Sequence, residues 1–244
     1  MRYFSELAYR GTDYHGWQRQ PNAPSVQQAI EEAMAIILGK PLEVVGCGRT
    51  DTGVHASQYF LHFDWEAELP NEFLRRMNKL LPDDIAFRSV YEVKPEAHAR
   101  FDAVSRSYEY RIVFDKSPFE ADTAWHFPFS HQLNFGKMRT AAALLLRYSE
   151  FQPFCKSNSD AQTMACSLHY SDWDYDDTGR RMIFRISANR FLRGMVRLIV
   201  GMCLNVGLGK LELETVKEAL DRQVLLNRSW SVPPEGLFLT QVKY

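Results

Sequence analysis

The sequence predicts a mixed α+β fold, with sheet and helix in each half of the chain. Three observations carry that reading. Residues 104–114 alternate with a period of two, so Arg106, Tyr108, Tyr110, Ile112 and Phe114 fall on one face of a strand. Val26, Ala29, Ile30, Ala33, Met34 and Ile37 recur instead at helical spacing. Finally, 244 residues with 45% hydrophobic and 24% charged composition are too apolar for a disordered chain. At roughly 150 residues per domain, that length makes one large domain or two closely packed halves.

The elements follow in order. Residues 3–9 read as a strand, and Gly11 to Gly16 as a loop by its Gly, Thr, Asp and His content. Ser25 opens a helix because Gln28 lies three residues on, the capping-box spacing, and Gly39 is a natural stop. Strands are expected at Leu42 to Val45 and Gln58 to Phe63, then a helix over 71–80 that ends before Pro82. Strand, helix, strand, helix, strand is the resulting order. The second half alternates more loosely: the strand at 104–114, a helix with Met138, Ala142, Leu145 and Leu146, and an irregular polar stretch from Lys156 to Thr163. Strands near Ser167 to Asp174 and Arg181 to Ala188 come next. Asn189 turns into a long apolar helix from Phe191 to Val206, followed by an amphipathic helix at Glu214 to Arg222 and a strand at Leu237 to Val242. The boundary between halves is expected at residues 103 and 104.

Composition narrows the function classes. Cys47, Cys155, Cys166 and Cys203 are widely spread with no CxxC pair, which fits reduced thiols in a cytoplasmic protein. No apolar segment follows the N-terminal Met-Arg-Tyr-Phe-Ser-Glu, and no apolar run nears the roughly 18 residues of a membrane span. His15, His55 and His98 lack metal-ligand spacing, so no metal is expected. With 29 Lys plus Arg against 30 Asp plus Glu, the net charge is -1, which argues against a uniformly basic polyanion binder.

Chemistry concentrates in three places. Gly46-Cys-Gly-Arg-Thr-Asp-Thr-Gly-Val-His55 has glycines placed for tight turns, holding Arg49, Asp51 and His55 on a loop between two strands. It has neither phosphate-loop spacing, so no nucleotide cofactor is implied. A carboxylate framed by Arg, Thr and His could serve as nucleophile, general base or salt-bridge partner, and a plain surface turn is the bland alternative. The second place is Arg180 to Arg197, six arginines without an acidic residue, directly after Asp172, Asp174, Asp176 and Asp177. Arg190, Arg193 and Arg197 share one face of the expected helix, either a solvated face or a phosphate-tracking surface. Arg197 lies deepest in apolar sequence and suits a partner carboxylate. The third is aromatic: Tyr108 and Tyr110 beside Arg106, and Trp17 beside Gln18, Arg19 and Gln20, are materials for stacking a base and reading its edges. Core packing is the competing reading, stronger for Tyr110 than for Tyr108.

Taken together, these segments resemble the TruA family of tRNA pseudouridine synthases. The resemblance rests on Tyr9-Arg-Gly-Thr-Asp-Tyr-His-Gly-Trp-Gln-Arg-Gln20, Ser25-Val-Gln27, Gly48-Arg-Thr-Asp-Thr-Gly-Val-His55, Leu81-Pro-Asp-Asp-Ile85 and His98-Ala-Arg-Phe101. It continues through Arg106-Ser-Tyr-Glu-Tyr110, Phe151-Gln-Pro-Phe154, Asn189-Arg-Phe-Leu-Arg-Gly-Met-Val-Arg197 and Glu235-Gly-Leu-Phe-Leu239, spanning nearly the whole chain in family order. Two positions depart: the family often has Asp at Arg10, and a His-containing pair at Arg193-Gly194.

The resemblance implies a pseudouridine synthase fold, two ferredoxin-like α/β halves joined in one mixed, largely antiparallel sheet with a central basic cleft. It implies an isomerase, a homodimer, and a tRNA substrate modified in the anticodon stem-loop at positions 38, 39 and 40. It also implies Asp51 as the catalytic aspartate with Arg49 beside it, Tyr108 as the active-site tyrosine, Arg197 as the partner arginine and Leu237 as the apolar terminal-strand residue. Trp17, Gln18, His55, Arg190 and Arg193 are further candidates for substrate contact. Because uridine and pseudouridine are isomers, no cofactor is expected. Two rival readings are a non-catalytic RNA-binding module and an aspartate-dependent glycoside hydrolase; the latter wants a second catalytic carboxylate that the Asp51 neighbourhood does not offer.

Overall fold

The computed structural model describes residues 1–156, 162–176, 178–227 and 229–244. Most of the polar stretch expected from Lys156 to Thr163, and Asp177 of the acidic cluster, lie outside the described residues. The chain forms two compact units, Met1–Val104 with Phe238–Tyr244, and Ser105–Leu237. The chain's last seven residues therefore belong with the first unit, where the sequence expectation kept them with the second half.

The first unit runs β1 (Arg2–Tyr9), α1 (Val26–Leu38), β2 (Val45–Gly46), β3 (His55–Asp64), α2 (Phe73–Leu80) and β4 (Ile85–Val93). β1 lies between β3 and β4, antiparallel to both, and β2 pairs antiparallel with β3. That is the strand arrangement of a ferredoxin-like βαββαβ unit. Ser25 caps α1 by accepting the Gln28 N–H at 3.2 Å, a contact worth about 1 kcal/mol, and Gly39 ends it at φ 79°. The Gln28 side chain donates to Glu32 at 2.8 Å. Val26, Ile30, Ala33, Met34 and Ile37 bury the apolar face.

Two expectations in this unit are corrected. The strand expected at Leu42 to Val45 shrinks to Val45–Gly46, because α1 takes the Val44 backbone: its N–H donates to Glu31 Oε1 at 3.2 Å and its C=O accepts from Gln27 Nε2 at 3.0 Å. The helix expected over 71–80 begins at Phe73, since Glu72 is left-handed at φ 57°.

The strand β9 (Leu237–Lys243) runs parallel to β3 with His55 opposite Phe238 and Ala56 opposite Leu239. Val242 N–H donates to Gln58 Oε1 at 3.0 Å and Val104 N–H to Lys243 C=O at 2.8 Å, which ties this terminal segment into the first unit.

The second unit contains β5 (Ser105–Val113), β6 (Trp125–His126), α3 (Phe135–Leu144), β7 (Leu168–Tyr175), β8 (Arg181–Ala188), α4 (Met195–Gly207) and α5 (Leu213–Arg222). β8 lies between β5 and β7, antiparallel to both, while β6 runs parallel along β5. β6 carries only two residues and has no alternation to reveal it in the sequence. α4 is the core of this unit: every one of its residues except Arg197 is buried. Leu145 and Leu146, expected within α3, lie instead in a 3-10 turn at Leu145–Arg147, and Leu146 is 44% exposed.

The helix expected from Phe191 begins four residues later. Gly194 caps it at φ 71°, a left-handed conformation that a helix cannot continue through, so Arg190 and Arg193 precede α4 and share no helix face with Arg197. All four cysteines are buried free thiols, and burial pushes Cys166 up to about 11.

His62 gives the first unit a pH dependence. It is buried, its Nδ1 accepts the Ala99 N–H at 3.1 Å, and its ring meets His98 edge-on at 4.6 Å. Burial, with the Arg2 charge and His98 adding to it, lowers its pKa to about 4. The unfolded chain therefore takes up this proton first as pH falls, and stability drops between about 6.5 and 4, by at most about 1.4 kcal/mol per pH unit. His62→Asn, which keeps an acceptor for Ala99, should flatten that part of the stability profile; denaturant melts at pH 7, 5.5 and 4.5 compare the two proteins.

Candidate functional site

In the first unit, the loop carrying Asp51 is clamped to the loop that follows β1. Gly11 approaches Val54 so closely that a Cβ on Gly11 would sit 2.0 Å from the Val54 carbonyl oxygen. Gly16, at φ 90°, does the same to Thr50, where a Cβ would lie 2.3 Å from the carbonyl oxygen. No other residue type fits either position without moving one of the two loops. Across this contact Trp17 N–H donates to Thr50 C=O at 3.3 Å and Gly53 N–H to Tyr14 C=O at 3.2 Å. The hydroxyls of Tyr9 and Thr50 share a hydrogen bond at 2.8 Å, and Gly11 N–H donates to His55 Nδ1 at 2.9 Å.

Both loops are anchored below. The Tyr59 hydroxyl donates to Gly48 C=O, and its ring stacks on Trp17 at 4.1 Å. Asp84, from the Leu81 to Ile85 motif, accepts the Arg10 N–H through its backbone and the Tyr14 hydroxyl through its carboxylate, both at 2.8 Å. Asp51 C=O in turn accepts the Val54 N–H at 3.2 Å, closing a turn whose Gly53 is left-handed at φ 75°. The result is a rigid turn with Asp51 half-buried at its apex and Arg49 exposed beside it.

Two of the expected contact residues are buried within this unit. Trp17 is 3% exposed and packs between Tyr9 and Tyr59, so its ring supports the Asp51 loop from inside. His55 is fully buried against Phe238 at 4.5 Å and accepts from Gly11, so it too holds the loop and has no surface to offer a substrate. Gln18 remains exposed. Arg19 ion-pairs with Glu31 at 2.9 Å, and that buried carboxylate also accepts from Gln27 and the Val44 N–H. Glu31 had no expected role from the sequence and Asp84 only a place in the Leu81 to Ile85 motif, because Arg19, Val44, Arg10 and Tyr14 reach them from outside their own segments.

In the second unit, Tyr108 is half-buried on β5 and meets Phe191 edge-on at 5.1 Å and 87°. Phe191 also went unrecognised, since the helical reading of 191–206 placed it in a first turn that does not exist. Tyr110 is fully buried, with its hydroxyl donating to Pro233 C=O at 2.7 Å, which makes it a core residue. Asn189 organises the segment beyond β8: Oδ1 accepts the Ser167 and Arg190 N–H groups at 2.8 Å each, and its C=O accepts from Arg106 at 3.0 Å.

Arg197 projects from the first turn of α4, half-buried, with Nε donating to Val232 C=O at 2.7 Å. Leu237 is 6% exposed. The arginine run divides. Arg180 pairs with Asp115 at 3.6 Å, Arg181 with Glu120 at 3.1 Å, and Arg185 with Glu109 at 2.9 Å and with Asp174. Each of these three is paired with a carboxylate, Arg185 across strands to β5 and β7. Arg190 and Arg193 make no ion pair among the described residues, and Arg193 is exposed.

The first unit thus presents one half-buried carboxylate near an exposed arginine, and the second a strand with one half-buried tyrosine. Comparison with known proteins makes the assignment specific. The family model described as tRNA pseudouridine synthase matches residues 141–244. Proteins named tRNA pseudouridine synthase A are similar along the whole chain: that of Bacteroides fragilis is 44% identical with 96% of its own length covered, and that of Porphyromonas gingivalis 44% with 97%. The Listeria monocytogenes protein of that name is 35% identical, with 99% of its length covered. The chain belongs to the TruA family of tRNA pseudouridine synthases, which are isomerases.

The clamp makes a direct prediction. Gly16→Ala adds a Cβ against Thr50 at a left-handed position, and should cost about 1–3 kcal/mol of stability. It should also lower isomerase activity more than ten-fold at a temperature where the variant is still folded; a thermal melt and a tRNA assay at low temperature read the two effects.

Proposed function

We propose that this chain converts uridine to pseudouridine in the anticodon stem-loop of tRNA, at positions 38, 39 and 40, with Asp51 as nucleophile. The observation that carries the reading is the combination of full-length similarity to tRNA pseudouridine synthase A with a loop that holds Asp51 through glycine-only backbone contacts. A pre-set carboxylate needs no rearrangement at the moment of reaction.

The reaction breaks the bond between ribose C1' and uracil N1, turns the base, and forms a bond from C1' to C5; the C5 proton is then lost and N1 gains one. The target must first leave the helix, at a cost of a few kcal/mol that phosphate contacts and stacking offset. Arg49, exposed beside Asp51, enters the space the base vacates. Asp51 acts by attack on C1', by addition to C6, or by taking the C2' proton to give a glycal. Tyr108 stacks on the base, in keeping with its half-exposed ring braced edge-on by Phe191, and serves the C5 proton step. Arg197, the one unburied residue of α4, orients Asp51. Leu237 keeps water from the intermediate. Arg190, Arg193 and Gln18 contact the RNA outside the reacting base.

Substrate and product are isomers, so the reaction has no stoichiometric need for a redox or group-transfer cofactor. The enzyme works as a cytoplasmic homodimer that binds one tRNA with both subunits; among the described residues no helix is long and apolar enough to cross a membrane.

Asp51→Asn should fold with an unchanged melt yet lose at least about 10³-fold in pseudouridine formation on transcript tRNA. A wild-type rate in that variant contradicts the nucleophile assignment. Arg193→Ala should weaken tRNA binding and lower the salt slope by about one, with the turnover of bound tRNA unchanged. Light scattering should find a species of twice the 28.3 kDa chain mass.

A further inference from the structure

The second unit contains a cavity of about 660 Å³ that none of the foregoing chemistry uses. Its walls are aromatic: Trp125 of β6 and Trp230 meet edge-on at 5.4 Å, Trp125 lies 5.0 Å from Phe127, and Phe127 lies 5.5 Å from Phe129. Asn205 of α4, Gln132, Lys210 and His126 supply the polar part of the lining, and among the described residues no carboxylate side chain contributes to it.

The cavity is built into the fold. Gly201 of α4 lies under Trp230 so closely that a Cβ there would sit 1.8 Å from the Trp230 carbonyl oxygen. Trp125 is held by its pairing opposite Ile112 on β5, four residues along the strand from Tyr108. Phe129 is 48% exposed at the rim, and Lys210 is exposed. Aromatic faces, amide side chains and an ammonium at the rim are the groups that stack an unpaired base, read its edge and meet its phosphate. The volume suits a single nucleotide within the usual range of about 300–1,000 Å³ for ligand pockets.

We propose that this cavity is a second nucleotide-binding site, which takes one unpaired nucleotide of the tRNA at a distance from the reacting uridine. The proposal rests on the tRNA reading above. It assigns Trp230 and Trp125 to stacking and Lys210 to the phosphate, with Asn205 and Gln132 facing the base edge. Because the site touches RNA away from the chemistry, it contributes to tRNA capture and leaves the isomerisation step alone.

The test compares wild type, Trp230→Leu and Lys210→Ala on intact transcript tRNA, with light scattering on each. Loss of the stacking surface should raise KM about ten-fold with kcat unchanged in Trp230→Leu. Lys210→Ala, an exposed change that leaves the walls intact, should lower the salt slope of tRNA binding by about one. Unchanged KM and salt slope in both variants, with pseudouridine still formed, overturn the proposal and leave the function standing. Conversion of a wild-type dimer to monomer by Trp230→Leu also overturns it, since the cavity is then a contact between copies of the chain. If wild type forms no pseudouridine, the function itself fails, and titration with uridine 5'-monophosphate decides the cavity separately. Saturable quenching of tryptophan fluorescence that Trp230→Leu removes supports the site, and no quenching overturns it.

Discussion

The constraint on which the Asp51 turn depends is the contact between the Gly11 to Trp17 loop and the Thr50 to His55 loop. At Gly11 and Gly16 the two backbones approach to distances that exclude any side chain, and hydrogen bonds from Trp17, Gly53 and Gly11 cross the contact. Each such bond contributes only about 1 kcal/mol net, but a backbone contact with no room for a Cβ has few other arrangements open to it. The position of the Asp51 turn is thus inherited from main chain. Tyr9, Tyr59, Trp17, His55 and Asp84 serve as the footing of this contact, and their burial or bonding follows from that role.

α4 imposes the complementary constraint in the second unit. Apart from Arg197 and Asn205 it is apolar, and every one of its residues except Arg197 is buried. The Val232 carbonyl accepts from the Arg197 Nε and fixes the stem. The same helix requires glycine at 201, where the chain around Trp230 crosses it. One helix therefore sets both the attitude of Arg197 and the wall of the aromatic cavity.

Much of the fold was legible because period-two and period-3.6 patterns reflect one-sided burial, which is a local property. α1 with its Ser25 cap and Gly39 stop, β5, β7, β8, α5 and β9 all come from such patterns. What was not legible depended on partners distant in sequence. The strand at Leu42 to Val44 was lost to Glu31 and Gln27 of α1. The start of α4 moved because Gly194 is left-handed, a conformation glycine permits but does not announce. Trp17 looked like a base-stacking aromatic because it lies in a polar loop, and only Tyr59, 42 positions on, makes it core. Asp51, Arg49 and Tyr108 were marked by motif and given roles, while Phe191 and Asp84 stood in motifs without a role and Glu31 had no signal at all.

The charge balance acquires a local meaning. Of the arginines between 180 and 197, Arg180, Arg181 and Arg185 are matched by carboxylates on adjacent chain segments, and exposed pairs of this kind contribute little to stability. Arg190 and Arg193 stand outside that matching, in a segment tied by Asn189 and next to Phe191. Near-zero net charge is then compatible with RNA binding, since a local surface can be positive when the whole chain is not. The central claim is that this chemistry acts on the tRNA anticodon stem-loop. Mapping pseudouridine in tRNA from cells that lack the protein tests it most directly. The account predicts loss confined to positions 38, 39 and 40, restored by the wild-type chain and not by Asp51→Asn; an unchanged map, or loss at other positions, would contradict it.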